Sequence, residues 1–391
     1  MIAALQGITV LDCGLLVQAP QAAATLSDMG ANVIKVELPE MGDQARWIMF
    51  GPDDPRSAYF TACNRGKRSI TLDLRHPDGA SAFKRLAAKA DVVITNFKPG
   101  TMDEWGLGYD TLRALNPRLI WAAGSAFGPI GPDALREGAD LSGQAAGGLV
   151  STTGREGDPP TPVGITIADH IASQNMVSGI LGALLARTHT GEGQRVEVSL
   201  LGGQIWAQAP EYSHLLMTGE IPGRANYGHP LIPAVYRIFE TADGWIGIIG
   251  VPPASRDVFF IMMERPELIV DPRFSGDTIE REHVDWLKQE LEPIFRTKTT
   301  DTWCELLREA GVRYAPVRNQ QEVLDDPGAW ENGYFQEVDG VRVVGTPINM
   351  SATPLRPGSQ PPGLGEHTRE VLLEQGFGDE EIDALSRSNA T

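Results

Sequence analysis

The sequence predicts an α/β fold, an open parallel sheet whose strands are joined by crossover helices, with a second, smaller domain beside it. Three observations predict it. Short β-branched runs alternate with helical segments through the first 130 residues, the pattern of βαβ units. An alanine-rich helical stretch bridges the first two runs, as a crossover helix would. At 391 residues the chain also exceeds what one hydrophobic core usually serves.

In chain order, a strand over Ile8 to Asp12 leads through Val17–Gln18–Ala19–Pro20 into that helix, which ends at Gly30. A second strand runs from Ala31 to Glu37. Next come Ser69 to Leu74, a helix near Asp78 to Lys89, Asp91 to Phe97, a short helix near Met102, and Leu119 to Ala123. Ligands of such sheets sit at the C-terminal strand ends, here the loops after Asp12, Glu37, Leu74 and Phe97. Residues 124–165 are rich in Gly, Pro and Ser and read as a long surface segment. A helix from about Ile171 to Arg187 ends at Gly191 and Gly193, and Gln194 to Leu200 reads as a strand. Residues 1–200 then form the large domain, 201–225 a linker and 226–325 a small domain that opens on the hairpin-like VYRIFETADGWIGIIGV. The tail carries an amphipathic helix and a second short one.

Composition excludes several function classes. No run of about 18 apolar residues exists, so no membrane helix is expected. MIAALQGITVLDCG lacks a basic n-region, so no secretory signal is expected. Cys13, Cys63 and Cys304 are an odd, scattered set that fits reduced thiols, and the protein reads as cytoplasmic. A net charge of −18 repels phosphate backbones, so nucleic acid is not an expected partner. An anionic ligand must instead be held by a local cluster of cations.

Common catalytic signatures are missing from the sequence: GxSxG, GxGxxG after the first strand, a P-loop and HExxH. No metal site is expected. Asn64–Arg65–Gly66–Lys67–Arg68–Ser69 packs three cations into four residues before a strand. It reads either as a solvated turn or as a phosphate clamp, to which Arg75 would add. Asn96–Phe97–Lys98–Pro99–Gly100 offers a cation, an aromatic face and backbone amides at another strand end, suiting a ligand with phosphates and a flat ring. Asp169, in Gly164–Ile165–Thr166–Ile167–Ala168–Asp169–His170, reads as a helix N-cap or as a nucleophile that helix amides keep ionised. His170 reads as a structural partner, His229 as a turn residue, and Trp105, Trp121 and Trp245 as packing.

The ordered set VLDCGLLVQAP, GANVIKVELPEMGDQAR, FTACNRGKRSITLDL, ADVVITNFKPGTMDEWGLGYD, NPRLIWAAGSAFGP, TPVGITIADH, THTGEGQRVEVSLL, ETADGW, VRYAPV and LGEHT resembles the family III CoA transferases, which include formyl-CoA transferase and the carnitine CoA transferase type. The resemblance implies a large Rossmann-like domain built from both chain ends, completed by about 330–391, with a smaller α/β domain between. It implies a homodimer of interlocked ring-like chains. It implies that acyl-CoA and a small carboxylic acid are substrates, with no permanently bound cofactor. Asp169 matches the family's nucleophilic aspartate, and Val17, Gln18, Arg75, Asn96, Phe97 and Lys98 match positions that line coenzyme A. Arg46, Leu72 and Ala139 complete that implied set.

The related α-methylacyl-CoA racemases use a His before an Asp and a Glu in the second domain. This chain has Ala139 before Asp140, and Val251–Pro252–Pro253 where the Glu would fall, so proton relay through those positions is excluded. Other departures concern the acids handled. Leu38 stands where some members carry a basic residue, with Arg46 as the substitute, and Trp105 stands where Arg is common. Ala139 replaces an aromatic near the acyl group, and the glycine run of formyl-CoA transferase is replaced by Gly247, Gly250, Pro252 and Pro253. These differences point away from formate and oxalate. The resemblance implies transfer through an aspartyl anhydride and an aspartyl-CoA thioester, with amides near Gly247 to Val251 steadying oxyanions. An acyl-CoA isomerase or a catalytically silent acyl-CoA-binding protein are the alternatives.

Overall fold

The computed structural model describes residues 2–274, 276, 279–358 and 360–391. The chain packs into two units, one of residues 1–148, 163–207 and 327–391, the other of 149–162 and 208–326.

The first unit is built on a six-stranded parallel sheet: β1 (Thr9–Asp12), β2 (Asn32–Glu37), β3 (Arg68–Thr71), β4 (Val92–Thr95), β5 (Ile120–Ser125) and β6 (Arg195–Ser199), in the order β3-β2-β1-β4-β5-β6. That is the doubly wound order of Rossmann-like folds, which reverses between β1 and β4. Side chains alternate faces along each strand. Leu11, Ile34, Ile70 and Val93 pack with Phe83, Leu86, Val371, Phe377 and Ile382 on one face. Val10, Val33, Val92 and Ile94 pack with Ala19, Ala22, Ala23, Met176 and Ile180 on the other. Burial on both faces explains the continuous apolar strands in the sequence. The alanines of helix Gln18–Asp28 keep that helix thin where it lies against helix Ile167–Thr190.

The C-terminal tail is part of this unit. His367 N–H donates to Ser69 O (2.9 Å), Thr71 N–H to Thr368 Oγ1 (3.0 Å) and Asp73 N–H to Ala390 O (2.8 Å). Helices Thr368–Glu374 and Asp379–Arg387 bury Val371, Leu372, Ile382 and Leu385.

The second unit holds an antiparallel sheet of β7 (Tyr236–Glu240), β8 (Trp245–Ile249) and β9 (Tyr314–Pro316). Its core gathers Phe239, Ile246, Phe260, Leu291, Phe295 and Trp303 from the sheet and helices Arg281–Phe295 and Thr300–Glu309. The ADG segment makes the hairpin turn: Thr241 N–H donates to Gly244 O (2.9 Å), and Gly244 N–H to Thr241 Oγ1 (3.0 Å).

Three local readings need correction. The segment 124–165 is not wholly irregular, since it contains helices Asp140–Ala146 and Leu149–Thr152, and 149–162 pack with the second unit. Residues 201–225 are not a plain linker: helix Leu200–Ala207 belongs to the first unit and Ala209–Thr218 to the second. The long helix begins at Ile167, four residues before its apolar periodicity. No described helix is long and apolar enough to cross a membrane.

Candidate active site

A cleft of about 290 Å³ opens at the C-terminal ends of β1 to β4, where the strand order reverses. Leu15, Leu38, Trp47, Leu72, Arg75, Phe97 and Trp105 are among its walls. The walls are largely apolar and aromatic, with Phe97 edge-on to Trp105 at 5.2 Å between ring centroids. Such a lining suits a flat heteroaromatic ring. A second cavity of about 130 Å³ lies beyond Phe97, lined by Lys98, Tyr109, Trp121, Arg195 and Glu197 among others.

The loops that frame the cleft are held from below by buried charge. Lys35 and Lys67 are fully buried, Lys35 against Asp43 (2.8 Å) and Lys67 against Asp12 (2.6 Å). Burial opposes ionisation of Asp12, yet the flanking Lys35 and Lys67 hold it below the ordinary carboxylate range. Burial likewise pulls Lys67 below the ordinary lysine value, Asp12 countering it. Lys35 Nζ donates to Gly14 O (2.9 Å), and Asp43 Oδ1 accepts the amide of Leu16 (2.9 Å). Leu16 stands at φ +63, a left-handed conformation that these bonds enforce. Asn96 clasps Leu15 from the neighbouring strand end, accepting its amide and donating to its carbonyl, both at 2.8 Å. Gly14 has no substitute here: a Cβ would come within 2.5 Å of that of Ala19.

Asp169 lies in the first turn of helix Ile167–Thr190, two residues inside its start. The N-cap position is Thr166, whose side chain makes no capping bond. The cap comes from elsewhere: Asp140 Oδ1 accepts the amides of Ala168 (2.7 Å) and Asp169 (3.2 Å). Asp140 Oδ2 accepts from Gln144 Nε2 (2.6 Å), and Gln144 also binds Ile165 O (3.1 Å) and Val163 N (2.9 Å), fixing the approach to the helix. Gly143 lets the two helices meet so closely, since a Cβ there would lie 2.9 Å from that of Ala168.

The sequence-based picture of amides keeping Asp169 ionised is therefore corrected. Asp140 takes the amides. Burial pushes the Asp169 carboxyl up to about 7, and the Asp140 charge adds to the rise. None of the described residues donates a hydrogen bond to that carboxylate. His170 is braced by Gln21 and Thr166 and kept below the ordinary histidine value by burial, in line with a structural part.

The structure disperses the other expected residues. The cations of NRGKR, open in the sequence between a solvated turn and a phosphate clamp, are spent internally: Arg65 pairs with Asp28 (2.8 Å), Lys67 with Asp12, and Arg68 with Glu370 (3.0 Å) and Glu374 (2.8 Å). Arg46 is bound twice by Glu37 and stacks on Phe60 at 3.8 Å. Leu72, Arg75 and Phe97 do meet in the cleft. Arg75 is an exposed cation there, paired with Asp73 (2.8 Å); Lys98, also exposed and paired with Glu137 (3.2 Å), lines the second cavity instead. Val17 precedes helix Gln18–Asp28, and Gln18 Nε2 donates to Ser125 O (3.3 Å). Ala139 is the exposed residue that opens the Asp140 helix. Gly247 to Val251 lie in the second unit, where Gly250 has φ +88. Asp140 and Gln144 were not anticipated as site residues, because their segment reads as irregular.

Comparison with known proteins places this geometry. The model of CoA-transferase family III matches residues 5–368. Succinyl-CoA:mesaconate CoA-transferase of Haloarcula hispanica is 36% identical, over 96% of this chain and 97% of its own. Succinate–glutarate CoA-transferase of Agrobacterium fabrum is 35% identical, over 95% of each. The crystal structure of a CAIB/BAIF family protein from Brucella suis superposes with a TM-score of 0.85 at 34% identity, over 96% of this chain and 100% of that one. With the match spanning both units and the doubly wound sheet in common, the chain belongs to CoA-transferase family III.

Proposed function

We propose that this enzyme moves coenzyme A from an acyl-CoA donor to a small dicarboxylic acid, with Asp169 as the covalent nucleophile. One observation carries the reading: the Asp169 carboxylate is partly buried, has no hydrogen-bond donor among the described residues, and is raised to about 7 beside Asp140. A carboxylate without donors keeps its lone pairs for a carbonyl carbon, and a higher basicity strengthens it as a nucleophile.

The Asp169 carboxylate adds to the thioester carbonyl of the donor. The C–S bond breaks, leaving a mixed anhydride and CoA thiolate. The thiolate then attacks the aspartyl carbonyl of the anhydride, forming an aspartyl-CoA thioester and releasing the donor carboxylate. The acceptor carboxylate attacks that thioester, giving a second anhydride and thiolate, and the thiolate finally takes the acceptor acyl group. No step needs a net proton, so a bound proton on Asp169 only blocks the first. Thioester energy is conserved provided water is kept out.

The cleft lined by Leu72, Phe97 and Trp105 suits the adenine ring, with Arg75 and Lys98 toward its phosphates. The small Ala139 beside Asp140 leaves room for a longer acyl chain than an aromatic residue would. The succinyl, mesaconate and glutarate partners of the two relatives support a dicarboxylate acceptor. The reading includes a homodimer, supported by the largely exposed Leu216, Met217 and Ile221. Light scattering at twice 42.3 kDa checks it.

The test is a CoA-exchange screen pairing succinyl-CoA with mesaconate, glutarate and monocarboxylates, followed by hydroxylamine trapping and mass spectrometry. Transfer to dicarboxylates with hydroxamate on the Asp169 peptide is expected. An unmodified peptide together with an active Asp169→Ala variant would refute the mechanism. A carboxyl titrating near 7 also suits proton abstraction next to a thioester. Deuterium exchange at the α carbon without acceptor acid would favour that second reading.

A further inference from the structure

Among the described residues that line the candidate coenzyme cleft, the cation is Arg75, and Asp73 holds it closely. Asp73 Oδ1 accepts the Arg75 main-chain amide (2.9 Å) and Nε (2.8 Å), and Oδ2 accepts Nη2 (2.8 Å). Such a planar fork is the strong form of the pair. The same hydrogen bonds are the main reason that the Asp73 carboxyl lies below the ordinary carboxylate range. The fork leaves Nη1 to a ligand, on a pair of zero net charge.

The cations nearby are engaged in the same way. Lys98, in the second cavity beyond Phe97, pairs with Glu137 (3.2 Å). Arg195 in that cavity lies 3.6 Å from Glu197 and stands over the Tyr109 ring at 5.0 Å. Arg46 is taken by both oxygens of Glu37. Leu38 brings no charge to the cleft wall, and Leu72, Phe97 and Trp105 complete an apolar, aromatic surface. A cleft of this make-up reads a flat ring and an uncharged arm far better than it reads phosphate.

We propose that this enzyme takes acyl thioesters lacking the ribose 3′-phosphate, dephospho-CoA thioesters foremost, as readily as those of CoA. The proposal rests on the reading of this cleft as the coenzyme's place. A monoester phosphate carries about two negative charges. Against an unengaged guanidinium it would gain charge-assisted hydrogen bonds and favour CoA about tenfold or more. Here it can only displace a carboxylate from the cation that the carboxylate holds. Exchange between exposed ions comes out near even, within about threefold. The net charge of −18 meanwhile works against the extra phosphate.

The full-length protein is titrated calorimetrically with CoA and with dephospho-CoA, and the succinyl thioesters of both are offered with glutarate for transfer. Dissociation constants and kcat/KM values that agree within about threefold are expected. Raising the ionic strength from about 0.01 to about 0.1 M, which shortens the screening length from about 30 to about 10 Å, should hold the ratio or move it towards CoA. Asp73→Asn removes the charge that holds Arg75 and should move the ratio towards CoA about tenfold. A parent that binds CoA about tenfold or more tightly than dephospho-CoA, or a preference for CoA that falls with salt, would overturn the proposal. An Asp73→Asn ratio equal to that of the parent would overturn the cause assigned to it, and if that variant does not fold the salt response of the parent decides. Heat from neither compound would refute the coenzyme reading of the cleft and this proposal with it. Equal binding of both without transfer to any acid would instead refute the enzymatic reading and leave this inference standing.

Discussion

Replacing Asp169 by Asn should stabilise the protein while abolishing transfer, and the gain should depend on pH in a calculable way. In the fold the carboxyl is raised to about 7 from an ordinary 3.8, by burial and then by Asp140. A folded value above the unfolded one means that charging this group opposes folding. The penalty is absent below about pH 4, grows between about 4 and 7, and is complete above about 7. A pKa difference of one corresponds to about 1.4 kcal/mol, so the full penalty has an upper limit of about 4 kcal/mol. Asn fills the same volume without the charge. The stability gap between Asp169→Asn and the parent should therefore widen by about 2–3 kcal/mol from pH 5 to pH 8, or about 4–8 °C in the melting temperature of a unit this size. Scanning calorimetry of both proteins across that range is the assay, alongside a CoA-exchange rate that falls about a thousandfold or more. A gap that stays constant with pH, or a variant less stable than the parent at pH 8, would refute the reasoning.

For the parent enzyme, log kcat/KM should rise with unit slope up to about pH 7 and then level, since only the ionised Asp169 attacks; a flat profile from pH 5.5 to 8 would contradict this. Asp140→Ala should remove the cap on Ala168 and Asp169, lowering stability by about 1–2 kcal/mol by urea titration. It should also shift the acid limb of the rate profile to lower pH, whereas Asp140→Asn should shift the limb yet keep most of the cap. Phe97→Ala should raise KM for the acyl-CoA donor about tenfold, and Arg75→Ala only about threefold because Asp73 already engages that guanidinium, with kcat unchanged in both. Lys67→Met should cost up to about 3 kcal/mol, because buried Asp12 would lose its partner at 2.6 Å and keep only Lys35 at 3.7 Å and the Gly14 amide.

The sheet was legible because its evidence is local. Runs such as Val92–Val93–Ile94 and Val33–Ile34 are buried on both faces, and a doubly covered strand must be apolar throughout. Asp169 was legible through its place before an apolar helix and through the ordered resemblance of its neighbours. What escaped the sequence is set by tertiary partners. Asp140 caps a helix that begins 27 residues later, and nothing in REGADLSG announces that target. The cations of NRGKR stay open in the sequence between a solvated turn and a phosphate clamp, because charge in a sequence does not reveal the carboxylate it will meet. Asp12, Asp28 and the Glu370/Glu374 pair lie far from them along the chain.

These internal pairings bear on how an acidic protein holds an anionic coenzyme. Lys35, Lys67 and Arg46 serve the loops instead of the ligand: Lys35 fixes Gly14, Asp43 fixes Leu16, and Arg46 secures Glu37, which in turn accepts the amide of Asp43. Asn96 adds the clasp on Leu15. The buried charges thus act at one remove, setting the cleft before any coenzyme arrives, and preorganised loops lose little freedom on binding. The rim cations Arg75 and Lys98 already lie against carboxylates, so a phosphate gains from them only by exchange with Asp73 or Glu137. On the proposed function, affinity for the coenzyme would come chiefly from the apolar and aromatic walls around Phe97. The division has a chemical consequence. With no strong cation fixed near it among the described residues, Asp169 keeps the raised basicity that the proposed mechanism asks of its nucleophile.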